Sequence, residues 1–409
     1  MASLRSGLKP VKEGVLGFFL GIANALFKIP ASRPDPESVY KVLLVHAETD
    51  SLGDTVISTA ALKPLHDAFP KARISVLVMK GAVPVYENNP LVNEVIVFPG
   101  EEGVISQNIA AFRGAALLRR KDFDVVVLKE HALRFIVMAW LARIPFRAGV
   151  DLNGRGFLLN AKAPLPAPML RDKHEAEYLL DAVRALGVAV NEEEQLLNVW
   201  PSAMDRQHAK TSIEGLPHPL ICLNVFTRGK LRAWPVASWM EVCEELKHKK
   251  YGVIWISSPE NVRQVEEVSR LSGAPMFISK TPGIAAALLD ECDVFASADG
   301  GLVHLASATN ASVVGLYCHS SPLRWGPFTT RPHEAIVSPG CVPCMDLGNY
   351  STEVCAVGDD KGMMRIKAWD VLNTIERVLK ATKEPITPEE KTEKTAKTKV
   401  KVKPERKGK

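Results

Sequence analysis

The feature that most constrains this chain is a repeated alternation of short apolar runs with amphipathic stretches. Strand-length runs are predicted at Lys41–Ala47, Arg73–Met79, Glu94–Phe98 and Asp124–Leu128, with helical periodicity over Asp54–Ala68 and Phe135–Ala142. A second series begins near Leu220, where "ICLNVF", "GVIWIS", "MFIS", "DVFASA" and "SVVGLY" read as strands. The segments between them, "VASWMEVCEELKHK", "ENVRQVEEVSRL", "PGIAAALLDEC" and "LVHLASATN", carry helical spacing. Runs apolar on both faces and separated by helices imply parallel sheets covered on both sides. The expected architecture is therefore α/β, with two Rossmann-like doubly wound halves joined near Trp200 to His208 and facing one another across a cleft.

The ends of the chain read differently. Residues 1–38 form an N-terminal unit in which Arg5, Lys9 and Lys12 precede the apolar run "EGVLGFFLGIANALFKIP" and a Pro-containing linker. From Gly14 to Ile29 a helix would span about 24 Å, short of a hydrocarbon core of roughly 30 Å. A membrane-lying helix is the first expectation. A signal peptide with Ala23-Asn24-Ala25 as its cleavage site, or a short span with Gly17, Gly21 and Ala25 on its packing face, are the alternatives.

Residues 39–205 are assigned to the first Rossmann-like half and 206–365 to the second. A helix over 366–382 is expected to return to the first half, and 383–409 is expected to be a disordered basic tail. From Glu389 to Lys409 nine basic residues face four acidic ones, which accounts for the whole net charge of +5. Such a tail suits an anionic membrane surface, nucleic acid or plain solvation.

In open α/β sheets ligands bind beyond the carboxyl ends of the strands. Two segments occupy such positions. "SLGDTVIST" places Asp54 at the join between the first strand and its helix. "SADGGLVHLASA" ends a strand at Asp299, follows it with Gly300 and Gly301, and starts a helix carrying Leu302 and His304. Free N–H groups and a positive dipole end beside glycines suit a pyrophosphate. Read structurally, Asp299 is an N-cap and His304 a satisfied polar residue. "NVFTRGKLRAWP" adds Thr227, Arg228, Lys230 and Arg232 after another strand, able to neutralise a diphosphate or simply to form a solvated basic loop.

Taken in order, "SLGDTVIST", "NPLVNEVIVF", "RAG" at Arg147 to Gly149, "RAWPVASW", "DGGLVHLASA", "SPLRWGP" and "CVPC" resemble glycosyltransferase family 9, the lipopolysaccharide heptosyltransferases, from about Lys41 to Lys380. The resemblance implies a GT-B fold and an inverting, metal-independent enzyme without a cofactor. It implies an ADP-heptose-type nucleotide-sugar donor in the second half and a lipid-linked lipopolysaccharide-core acceptor in the first. Asp54 is then the general base, with Gly53 and Arg147 on the acceptor side. Thr227, Arg232, Glu260, Asp299, Gly300, Gly301, Leu302 and His304 are then the donor side. Membrane-surface association at the inner face of the inner membrane follows, and nucleic acid is not an expected partner. A partly desolvated Asp54 is expected to have a raised pKa.

This chain departs from the family at Glu48 and Asp50, where an Arg is common, at Gly300, where Ser or Thr is usual, and at Cys318, where Gly is common. Cys222, Cys243, Cys292 and Cys318 read as small core residues. Cys341, Cys344 and Cys355, spaced C-x2-C-x10-C, are three of the four ligands a zinc site needs, with His319 or His333 as a fourth. Packed thiols or a local disulfide are the preferred reading. Asp122-Phe123-Asp124 precedes a strand instead of following one and is discounted as a metal-binding D-x-D. A nucleotide-sugar epimerase on the same fold, or a non-catalytic carbohydrate- or membrane-binding scaffold, are the competing functions.

Overall fold

A computed structural model describes residues 29–100, 104–130, 132–166, 172–191, 193–345, 353–355 and 361–383. The expected N-terminal apolar helix, apart from Ile29, and the expected basic tail lie outside the described residues.

The first half runs β1 (Lys41–His46), α1 (Leu52–Ser58), α2 (Leu62–Ala68), β2 (Arg73–Val78), α3 (Val83–Tyr86), β3 (Glu94–Val97) and α4 (Val104–Lys121). It continues with β4 (Val125–Leu128), α5 (Leu133–Leu141), β5 (Phe146–Asp151), β6 (Ala161–Pro164) and α6 (Glu175–Ala185). All six strands pair in parallel in the order β3-β2-β1-β4-β5-β6. The single helix expected over Asp54–Ala68 is two helices with a 3-10 turn, Thr59–Ala61, between them.

After α7 (Ala203–Ser212) the second half follows as β7 (Leu220–Asn224), α8 (Val236–His248), β8 (Gly252–Ser257), α9 (Val262–Ser272), β9 (Met276–Ile278) and α10 (Pro282–Asp290). Then come β10 (Val294–Ala298), α11 (Gly301–Ser307), β11 (Ser312–Tyr317), α12 (Pro322–Trp325), β12 (His333–Val337) and α13 (Ala368–Lys383). Its strands are also parallel, ordered β12-β11-β10-β7-β8-β9. Two doubly wound sheets of this kind are the GT-B architecture. Fully buried strands such as "VLLVH" in β1 and "SVVGLY" in β11 fit their covered position.

Each sheet has one point where its strand order reverses, and such a point leaves a crevice at the carboxyl edge. It falls between β1 and β4 in the first half and between β7 and β10 in the second. Across the second switch point Asn224 Nδ2 donates to Ser297 Oγ at 3.0 Å. One apolar core runs from one half into the other, with Val56, Ile57 and Ala60 of the α1 region meeting Val303, Leu305 and Ala306.

The expectation that the last helix returns to the first half is corrected here. Val371, Leu372, Ile375, Val378 and Leu379 of α13 join the second core, with Trp234 and Trp239, and the helix packs on α8, β11 and β12. Its amphipathic stripe requires an apolar partner, and α8 with the flank of the second sheet supplies one closer in sequence. No helix among the described residues is long and apolar enough to cross a membrane. Replacing fully buried Ile375 with Ala should cost about 2–5 kcal/mol by cavity formation. Urea unfolding followed through Trp234, Trp239 and Trp255, all in the second core, measures that loss directly.

Candidate functional site

α1 begins six residues after β1, with Ser51 at its N-cap and Asp54 in its first turn, where a carboxylate favours the helix dipole. Asp54 keeps 29% of its side chain exposed, so a ligand is able to reach it. Its Oδ1 lies 3.4 Å from Nζ of Lys129, the first residue beyond β4 on the far side of the switch point. Burial pushes the Asp54 carboxyl up, but Lys129, His46 and His304 outweigh it and hold the group below its ordinary value. The raised pKa expected from the sequence is thus reversed, because a cation from the neighbouring strand stands beside the acid. Burial also disfavours the Lys129 charge, yet Asp54, Glu130 and Glu175 together raise its pKa.

Beneath this pair lies a buried network. His46, at the end of β1, has Nδ1 at 2.9 Å from Glu130 Oε1 and Nε2 at 3.3 Å from Thr55 Oγ1. Burial alone would raise Glu130, but its bond to His46 and the nearby Lys129 charge bring it down to about 2. Burial and Glu130 push Glu48 up to about 7, against the opposing charge of Arg134, whose Nη2 donates to Glu48 Oε1 at 2.8 Å. Glu48, Thr49, Asp54, Lys129, Glu175 and Tyr178 line a cavity beside α1.

In the second half, Thr227 follows β7 and Asp299 follows β10, so the switch point holds both. Thr227 Oγ1 donates to the Asp299 backbone oxygen at 3.0 Å. A Cβ on Gly300 would stand 3.1 Å from that hydroxyl, so the absent side chain leaves Thr227 room. Asp299 Oδ2 accepts from Ser320 Oγ at 2.5 Å and lies 3.6 Å from Arg232 Nε.

The two halves meet through glycines. A Cβ on Gly301 would fall 3.0 Å from Leu52 Cβ and 3.1 Å from the Gly53 nitrogen, and one on Gly53 would fall 2.8 Å from His304 Cδ2. The starts of α1 and α11 therefore abut almost backbone to backbone. Leu302 packs against the shared core. His304 is buried, and its Nδ1 has no hydrogen-bond partner among the described residues. Burial lowers its pKa against the pull of Asp299 and Asp54.

"SPLRWGP" closes the seam from the second half. Arg324 Nε donates to Glu175 Oε2 at 2.8 Å, and His174 Nε2 lies 3.0 Å from the Gly326 oxygen. The His174 ring stacks on Phe328 with centroids 4.7 Å apart. Its Nδ1 accepts from the Ala176 N–H at 3.1 Å, which leaves Nε2 as the protonated nitrogen.

Asp54, Gly53, Gly301 and His304 thus meet at one place, with Thr227, Arg232, Asp299 and Gly300 grouped around the second switch point. Glu260 lies apart from them, exposed in a 3-10 turn after β8, one strand beyond β7, and accepts from Ser258 Oγ at 2.6 Å. Arg147 does not belong to the acceptor side. It pairs beside Val126 near the start of β5, and its guanidinium donates to the carbonyls of Ile144, Pro145 and Leu158, so it secures loop backbone at the opposite end of the sheet. His46, Lys129, Glu130 and Glu175 were missed. "LKE" directly after the apolar run of β4 was the available signal, since the strand-end rule that selected Asp54 applies there as well.

The seven cysteines are free thiols. Cys318, Cys341, Cys344 and Cys355 line a cavity beside the Lys230 to Pro235 loop. No group of His, Cys, Asp and Glu among the described residues is arranged to hold a metal ion.

Burial against the seam and the neighbouring His304 take His174 from an ordinary 6.5 to about 3. The unfolded chain therefore binds the extra proton, so the stabilisation is complete above 6.5 and is lost as the pH falls toward 3. The slope is about 1.4 kcal/mol per pH unit for one such group. Urea midpoints measured from pH 7 to pH 4 should fall less steeply in His174→Gln than in the parent.

The chain matches the description "Glycosyltransferase family 9 (heptosyltransferase)" over residues 112–353. It is 20% identical over 286 residues to lipopolysaccharide heptosyltransferase 3 of Escherichia coli, covering 68% of this chain and 84% of that protein. It is 24% identical over 319 residues to lipopolysaccharide heptosyltransferase 1 of Pseudomonas aeruginosa, covering 75% and 86%. Its fold is shared with the crystal structure of a family 9 glycosyl transferase from Veillonella parvula, at a TM-score of 0.68 and 20% identity over 85% of this chain and 99% of that one. E. coli ADP-heptose lps heptosyltransferase II superposes at a TM-score of 0.63 and 19% identity over 84% and 100%. With more than half its length matched and both strand-order reversals carrying acids at helix starts, this chain belongs to glycosyltransferase family 9.

Proposed function

We propose that this glycosyltransferase moves a heptose or closely related sugar from an ADP-sugar to a lipid-linked lipopolysaccharide-core acceptor at the inner face of the inner membrane, inverting the anomeric centre without a metal. The observation that carries the proposal is the Gly53–Gly301 contact, which sets the base candidate of one half beside the donor motif of the other. The relatives' names supply the substrates; the chemistry comes from the residues.

Direct displacement needs a base at the acceptor hydroxyl and cations at the departing diphosphate. Asp54 is reachable, ionised across neutral pH and aligned with the first turn of α1. Its depressed pKa makes it a weak base, suited to taking the proton as the new glycosidic bond forms, when the hydroxyl has become acidic. Lys129 holds the carboxylate in place and keeps it charged. Arg232, with Arg228 and Lys230 on the same loop, would neutralise the diphosphate leaving group beside Thr227. His304 offers its buried Nδ1 edge to a phosphate or sugar oxygen.

Mass spectrometry of a reaction containing ADP-heptose and lipopolysaccharide-core acceptors should show a heptosylated product. Asp54→Asn should lower kcat by about 10²–10⁴-fold with an intact fold. Donor consumed equally with and without acceptor would refute the transferase reading in favour of epimerisation. The acid limb of kcat/KM should lie below the ordinary carboxylate value of 3.8 in the parent and move upward in Lys129→Met, because removing that charge leaves burial to dominate Asp54.

A further inference from the structure

The outer face of the α4–α5 pair has no role in the chemistry above, yet it carries apolar side chains that a water-facing surface does not require. Ile109, Phe112 and Trp140 are 52%, 62% and 40% exposed. Between the two helices runs an open apolar groove lined by Ala111, Phe112, Leu133, Val137, Met138 and Leu141. Contiguous exposed apolar surface of this kind marks an interaction site.

The charges on this face select its partner. Successive α-helical residues are about 100° apart, so Ile109, Phe112, Arg113, Ala116, Arg119 and Arg120 share one arc of about 120°. The three arginines are exposed, and so is Arg143 just beyond α5. Neither helix contains an acidic residue. An aromatic and aliphatic stripe interleaved with arginines suits the boundary between acyl chains and anionic headgroups, where rings enter and guanidinium groups stay with phosphate. A protein partner would need to match four cations with carboxylates around an open apolar groove, whereas an anionic bilayer supplies both chemistries at once.

Two further placements agree. Ile29, where the described chain begins, packs against the core cluster that includes Ala110, Ala111 and Met138, and the apolar run Gly14–Lys28 directly precedes it. Arg134 joins the groove to the site: it lines the groove and its guanidinium pairs with Glu48 of the cavity containing Asp54.

We infer that the α4–α5 face docks on an anionic membrane surface and presents the first-half cavity to a lipid-borne acceptor. Only the second clause rests on the proposed transfer reaction. Flotation of the full-length protein with phosphatidylcholine vesicles, with and without phosphatidylglycerol, tests the docking. Arg119→Gln combined with Arg120→Gln should lower partitioning onto phosphatidylglycerol vesicles about 30-fold. Ile109→Ser combined with Phe112→Ser should lower it on the order of tenfold, with an unchanged melting temperature. Parent protein that stays with the buffer in both vesicle types, or either variant floating like the parent, overturns the inference. So does efficient cross-linking between copies through Phe112→Cys without vesicles, which would make the face a subunit interface. Transfer to a deacylated, water-soluble acceptor should be equal in parent and variants, and a loss there would overturn the docking role in favour of a structural one. Flotation that behaves as expected in a protein transferring no sugar would refute the function and leave the docking surface standing.

Discussion

Everything in this site depends on two helices being able to start against one another. The dipoles of α1 and α11 put positive ends at their N-termini, and bringing two such ends together is unfavourable unless negative charge sits between them. Asp54 in the first turn of α1 and Asp299 just before α11 each set an acid at one of these ends. Close approach is the second requirement. Any side chain at Gly301 would crowd Leu52 and the Gly53 nitrogen, and any side chain at Gly53 would crowd His304. The glycines of both motifs are therefore explained by mutual contact as well as by approach to a ligand, and the acids beside them offset an electrostatic cost the contact creates.

The low pKa of Asp54 follows from the same economy of space. A sheet that reverses its strand order at β1 and β4 sets the residues after those strands side by side, so Lys129 stands next to Asp54. His46 and Glu130, one layer deeper, form a hydrogen-bonded support, and the Lys129 charge above it faces Asp54, Glu130 and Glu175. Arg134 pairs with Glu48, Lys129 pairs with Asp54 and Glu130 bonds to His46, so a largely buried set of polar groups exists because each has a partner of opposite sign or a hydrogen bond. Base strength is sacrificed in return for a carboxylate that remains ionised and fixed.

The parallel sheets were legible because β1, β7, β8, β10 and β11 are continuous apolar runs whose period cannot suit a solvent-facing helix. The acids at their ends were legible for a positional reason. Contacts between distant segments were not: Gly53 and Gly301 look like local turn-formers until the fold joins them. The apolar stripe of α13 says that it must be buried, but carries no address, so its return to the first half was a wrong choice between two available surfaces. Arg147 misled for the opposite reason. It lies in a motif, yet its guanidinium is spent on three backbone carbonyls. α4 escaped notice because Ile109 and Phe112 lie on its outer face and Gly114 and Ala115 on its inner one, which erases the periodicity that identifies a helix.

Glu48 shows how a departure in sequence is resolved in space. Family members often carry an arginine shortly before the Leu-Gly-Asp motif, and an acid there suggests a reversed local charge. The fold returns the cation from another element, because Arg134 of α5 reaches across to Glu48. With Arg134 in place, the pair sits beside Glu130, and Glu48 is pushed up to about 7, so its charge changes near neutrality. A charge read from one motif position is therefore a poor guide to the potential at the site. The arginine is set in the wall between the apolar groove and the polar cavity, so as the pH rises through neutrality Glu48 loses its proton and the cavity gains negative charge beside the cation that anchors its rim.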